Sequence, residues 1–263
     1  MPGSAVRMPL LFVGHGSPMN ALEANIYTRT WAALAARMPR PRAILCLSAH
    51  FAGEDSRVVA ADSPRTIHDF YGFPRALHEA SYPAPGSPEL ARRVQALLPQ
   101  ARPTQDWGLD HGAWSVLMRM YPAADIPVVQ LSLELSLTGA QQMALGTQLR
   151  PLREEGVLIL GSGNVVHNLR LINGAATVPY PWAQAFDTAV HDAVMAGDGK
   201  ALANYMALPG AGLAVPTTEH FVPLLYVLGA AHPGEAVEAF NRSYVFGSLS
   251  MTGYLIGANA QGA

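Results

Sequence analysis

AILCLSAHF, residues 43–51, runs apolar on consecutive positions and ends in a polar turn with a histidine. Consecutive apolar residues are expected of a strand covered on both faces, whereas a half-solvated strand alternates. Working outward, Leu10–Val13, Val58–Ala60, Val128–Leu133 and Val157–Leu160 read as further strands. Between them Ile26–Met38, Pro88–Leu98, Gly112–Met120 and Gln141–Leu149 carry helical patterns, with Trp182–Met195 and Val222–Leu228 later. Ser87-Pro88-Glu89 is a strong helix start: a capping hydroxyl, proline in the first turn, then an acid at the positive end. Pro223 is compatible with a helix because it falls in a first turn. Short strands alternating with helices predict an α/β fold: one domain over residues 1–263, with a central mostly parallel or mixed sheet and helices on both faces. The Pro- and Gly-rich stretch from Tyr71 to Pro88 reads as a long surface loop, a common border of binding sites.

The composition narrows the function. Half of the 263 residues are apolar, 14% are charged and the formal net charge is −2, which supports a large core and offers no basic footprint for nucleic acid. No secretory signal and no bilayer-spanning stretch is evident, so a cytoplasmic protein without membrane partners is expected, as a monomer or small homo-oligomer. The lone Cys46 lies in an apolar run and reads as a small core residue. The ten methionines are scattered and read as core filling.

Four of the nine histidines sit where an apolar run gives way to a loop or helix start: His15 in LLFVGHGSP, His50 in AILCLSAHF, His167 in LILGSGNVVHN and His220 in PTTEHFVPLL. In α/β folds, residues past the carboxyl ends of strands converge on one crevice, so four imidazoles so placed point to a metal site. Gly14 and Gly16 leave the His15 ring uncrowded. His111 stands before a helix, with Asp110 adjacent. His68 and Tyr71 lie among the aromatics of TIHDFYGFP, a composition that suits either a substrate wall or a packed loop. His78, His191 and His232 read as surface residues. There is no G-x-S-x-G elbow, no H-E-x-x-H motif and no phosphate-binding loop.

GHGSPMN, LSAHF, TIHDFYGFP, DHGAWSVL, GSGNVVHNLR and TEHFVPLLYVLGA together resemble the LigB-like class III extradiol dioxygenases, within them the 4,5-DOPA dioxygenase subgroup. The six stretches run in the subgroup's order from His15 to Ala230. The resemblance implies a non-haem Fe(II) centre that opens a small aromatic diol beside its hydroxyls using O2, with zinc able to occupy the site in isolated protein. It implies His15, His50 and His220 as metal ligands, His167 as acid/base and potential fourth ligand, and His111 as a hydrogen-bonding partner of substrate or oxygen. The wider superfamily has glutamate as third ligand, and Glu219 directly precedes His220, so both residues stand as candidates there. Two other readings remain: a zinc hydrolase with His167 or His111 as base, and a non-catalytic binding protein similar to the Memo family. An unperturbed histidine titrates at about 6.5, which at that value would let His167 take up and return a proton at neutral pH.

Overall fold

The computed structural model describes residues 7–258. Its central sheet has six strands: β1 (Leu10–Gly14), β2 (Ala43–Ser48), β3 (Val128–Gln130), β4 (Val157–Gly163), β5 (Val237–Phe240) and β6 (Gly253–Ile256). Their order is β3-β2-β4-β1-β6-β5. The first four are mutually parallel; β6 runs antiparallel to β1 and β5 antiparallel to β6, so the sheet is mixed. Six longer helices pack on it: α1 (Ile26–Arg37), α2 (Pro88–Leu97), α3 (His111–Met120), α4 (Gly139–Leu149), α5 (Pro181–Ala196) and α6 (Val222–Gly229).

Alternate residues of the strands feed two cores, as the two-residue period demands. Leu10, Phe12, Leu45, Leu47 and Ile159 face the side covered by α2, α4, α5 and α6. Leu11, Val13, Ile44, Cys46 and Leu160 face α1 and α3, whose Trp31 and Trp114 are fully buried there. Cover on both faces explains why β1, β2 and β4 are apolar at consecutive positions. The capping signals also act as read: the Ser87 side chain accepts from the Leu90 amide to start α2, with Pro88 in the first turn.

Three strand expectations need correction. Arg57–Val59 forms a strand but pairs with Arg102–Thr104 outside the central sheet. The run Val128–Leu133 splits, because after Gln130 the chain leaves β2, and Leu133–Glu134 pairs with Ala52–Gly53. The C-terminal strands β5 and β6 had no counterpart in the sequence reading. The loop from Tyr71 carries a one-turn helix, Arg75–His78, before α2 begins. Among the described residues no helix is long and apolar enough to cross a membrane.

Candidate active site

The carboxyl ends of β1, β4 and β2, three neighbours in the sheet, open into one crevice where five imidazoles meet. His15 follows β1 directly, His50 follows β2 by two residues and His167 follows β4 by four; His220 precedes α6 and His111 opens α3. The end of β4 is the common support. Gly163 accepts from the His15 amide at 3.0 Å, Ser162 accepts from the Ala49 amide at 2.9 Å, and Asn164 donates to the His220 carbonyl at 2.8 Å. At Gly163 a Cβ would lie 2.1 Å from that same carbonyl oxygen, so only glycine admits the segment that delivers His220. Gly163→Ala is therefore expected to destabilise the fold by about 1–3 kcal/mol through overpacking and to lower metal retention with it. Thermal melting and metal analysis check this; a wild-type melting temperature with full metal would count against the close approach.

The imidazole positions are specific. The His15 and His50 Nε2 atoms stand 3.3 Å apart. The His15, His50 and His220 rings form a near-equilateral triangle, with centroids separated by 5.2, 5.4 and 5.2 Å. His111 lies 3.9 Å from His50 by ring centroid, and His167 stacks on His220 at 3.4 Å with the planes 6° apart. Nitrogens of His15, His50 and His111 fall within 4.8 Å of one another, and so do ligand atoms of His167, Glu219 and His220.

Second partners fix the rings. Ser162 Oγ–H donates to the Gly112 carbonyl at 2.5 Å, so toward His15 Nδ1, 3.0 Å away, it can only accept. The His15 proton thus sits on Nδ1 and its Nε2 is bare. Glu219 Oε1 lies 3.1 Å from His220 Nδ1 and also accepts from Thr217 at 2.8 Å, which turns the His220 Nε2 the same way. Asp69 lies 3.2 Å from His50 Nδ1 and 3.0 Å from His111 Nδ1. With both Nε2 atoms bare, this 3.3 Å separation would be repulsive unless a cation lay between them. That separation matches the edge of a tetrahedron with metal–nitrogen bonds of about 2.0–2.1 Å. The donor set therefore fits a divalent transition metal.

Burial, then the neighbouring histidines, hold His15 and His220 well below the ordinary histidine range, and His50 is lowered as well. These rings are neutral at neutral pH, as ligation requires. Burial pushes His167 down to about 4, with Glu219 opposing and His50 and His111 adding to the fall. The expectation of an unperturbed His167 is thus corrected: desolvation makes it a neutral base, and an anion beside it is needed to stabilise its protonated form. Burial pushes the Asp69 carboxyl up, but His111 and His50 outweigh this and leave it below the usual carboxylate range.

Several sequence readings change here. Asp110, which its sequence position gave no ground to pair with His111, caps α3 through the Ala113 amide and accepts from Ser48 and Gln130, a buried structural role. The carboxylate beside His111 is Asp69, 42 residues upstream, which only the fold brings near. Tyr71, a candidate for the substrate wall, is 93% exposed. His68 is held at the Ala80 carbonyl and packs on Phe70 and Trp114, one layer behind the site. Phe70 supplies the aromatic contact instead, edge-on to His111 at 5.6 Å. His78 is exposed, while His191 and His232 are half-buried. A cavity of about 810 Å³ lies elsewhere, lined by Met143, Arg150, Leu228 and His232, and contains none of the five crevice histidines.

Residues 10–256 match the family described as the catalytic LigB subunit of aromatic ring-opening dioxygenase. The chain belongs to the LigB family. Among LigB relatives, it is 48% identical over 262 residues to the 4,5-DOPA dioxygenase extradiol of Escherichia coli K12, covering 97% of this chain and 96% of that protein. The Beta vulgaris protein of the same name is 39% identical over 253 residues, covering 92% and 94%. The crystal structure of an uncharacterized Escherichia coli K12 protein superposes with a TM-score of 0.84 at 43% identity, covering 95% of this chain and all of that one. The LigB match spans every strand of the central sheet and all five crevice histidines, and it places the chain among dioxygenases.

Proposed function

We propose that this LigB-family protein is a cytoplasmic, non-haem Fe(II) extradiol dioxygenase that opens a DOPA-like catechol, with His15, His50 and His220 as ligands and His167 beside the metal. The observation that carries the reading is the triangle of His15, His50 and His220, with Ser162 and Glu219 bonded to the Nδ1 atoms of the first and third and Asp69 Oδ2 3.2 Å from that of the second. Held by His15, His50 and His220, Fe(II) would supply redox chemistry toward O2, and neutral imidazoles would leave its positive charge undiminished for a catecholate. The chain's own groups do the rest. His167, neutral and buried, accepts a hydroxyl proton as the catechol binds; the catecholate then raises its pKa and holds the proton for return to the product. His111 hydrogen-bonds the substrate or oxygen, and Phe70 walls that side.

The test is anaerobic loading with Fe(II), followed by a screen of catechols for oxygen uptake and yellow ring-opened products. Zinc has no accessible redox change, so the zinc form should consume no oxygen. Activity with zinc and without oxygen would instead establish a hydrolase. The third ligand has its own test. Glu219 grips the His220 ring through Nδ1, which favours His220 over Glu219 at the metal. His220→Ala should lose most of its metal; Glu219→Ala should lose less, about the 10–100-fold in affinity typical of an outer partner. The reverse ranking assigns the carboxylate as the ligand.

A further inference from the structure

Asp69 divides its two oxygens between different tasks. Oδ1 accepts the His111 backbone N–H at 2.9 Å, at the positive end of α3, which anchors the carboxylate and favours its charge. Oδ2 lies between two rings, 3.0 Å from His111 Nδ1 and 3.2 Å from His50 Nδ1. The contacts are close in distance without hydrogen-bond geometry, so His111 Nδ1 and Asp69 Oδ2 are both buried with no hydrogen-bond partner. An anionic oxygen facing two otherwise unengaged Nδ1 atoms draws the ring proton of each toward itself. Phe70, the next residue, packs its ring against His111 and closes the far side.

We infer that Asp69 is a positioning residue that keeps the protons of both His50 and His111 on Nδ1. One carboxylate then prepares two functions together: His50 presents a bare Nε2 to the metal, and His111 presents a bare Nε2 that accepts a hydrogen bond from a catechol hydroxyl. Without the carboxylate nothing holds either ring in this form. The inference rests on the assignment of His50 as a metal ligand made above, but its signature on His111 is present in protein without metal or substrate.

Imidazole nitrogen NMR on isotope-labelled, metal-free protein reads the proton positions directly. Protonated Nδ1 and bare Nε2 are expected on His111, and on His50 once zinc is added between its Nε2 and that of His15. Asp69→Asn keeps an oxygen for the His111 amide but turns an NH2 toward the two Nδ1 atoms, so the protons should move to Nε2. Zinc affinity, measured by competition with a chromophoric chelator, should then fall by about 10–100-fold. Nε2 protonation of His111 in the unsubstituted protein overturns the inference, as does an Asp69→Asn protein with an unchanged His111 proton position or unchanged zinc affinity. The measurement on unsubstituted protein decides the matter even if the variant fails to fold. Loss of the dioxygenase reading alone, with no catechol cleaved, leaves the nitrogen shifts and the zinc affinity as they are, so the two failures are distinguishable.

Discussion

His15→Ala is expected to remove both the metal and all catechol cleavage while the sheet stays folded. His15 is 1% exposed, its Nδ1 proton is held by Ser162, and its Nε2 stands 3.3 Å from that of His50. Removing it deletes a corner of the triangle, and the loss should exceed the roughly 10–100-fold that an outer partner costs. The backbone of β1 remains paired to β4 and β6, so secondary structure should persist. Deleting a buried neutral imidazole from a crowded group of five can even relieve repulsion in the metal-free state. Metal analysis, circular dichroism and oxygen uptake on the purified variant check this. Full metal content in His15→Ala would remove it from the ligand set and leave His50, His111 and His220 as the trio to examine.

His167→Ala should behave in the opposite way, keeping much of its Fe(II) while turning over about 10²–10⁴-fold more slowly, the usual cost of losing a general acid or base. Its ring stacks flat on His220, and burial holds its pKa at about 4, so before substrate arrives it is neutral, with one ring nitrogen free to accept a proton. That places its contribution in the steps where a catecholate is made and its proton returned. Measured kcat should fall far more than metal content. Metal loss as complete as in His15→Ala would make His167 a structural ligand, with His111 next in line to handle the proton. Normal turnover with full metal would exclude both roles.

Much of this site was legible because the crevice lies at strand ends, and strand ends can be read from apolar runs. His15 and His50 terminate β1 and β2, and GSGN after Leu160 continues the longest strand into the centre. What was not legible is whatever depends on tertiary approach. Asp69 meets His111 across 42 residues, and Ser162 meets Gly112 across 50. No local pattern marks either, whereas Asp110, adjacent in the chain, spends its carboxylate on a helix cap and Gln130. The aromatic run misled in the same manner: Phe70 and Tyr71 are neighbours with equal claims in the sequence, but Phe70 packs on His111 while Tyr71 is exposed. The strands β5 and β6 escaped notice because each is four residues long; β5 lies at the sheet edge with polar and apolar residues mixed, and β6 opens on a glycine.

The division of labour between β4 and the loop that carries Asp69 bears on how such an enzyme acquires new substrates. The strand ends carry the parts that must not move, while the wall that meets the aromatic ring, Phe70 with Phe73 behind it, belongs to an excursion of the chain. Loops of this kind can be exchanged between homologues or diversified in a library without disturbing a sheet. Asp69 makes this loop an exception, because a graft that changes the wall also changes the proton positions on His50 and His111. Directed evolution for bulkier or charged catechols should therefore keep Asp69 in register and vary its neighbours, and chimaeras that shift it by one residue should emerge metal-poor however well their wall fits the new ring.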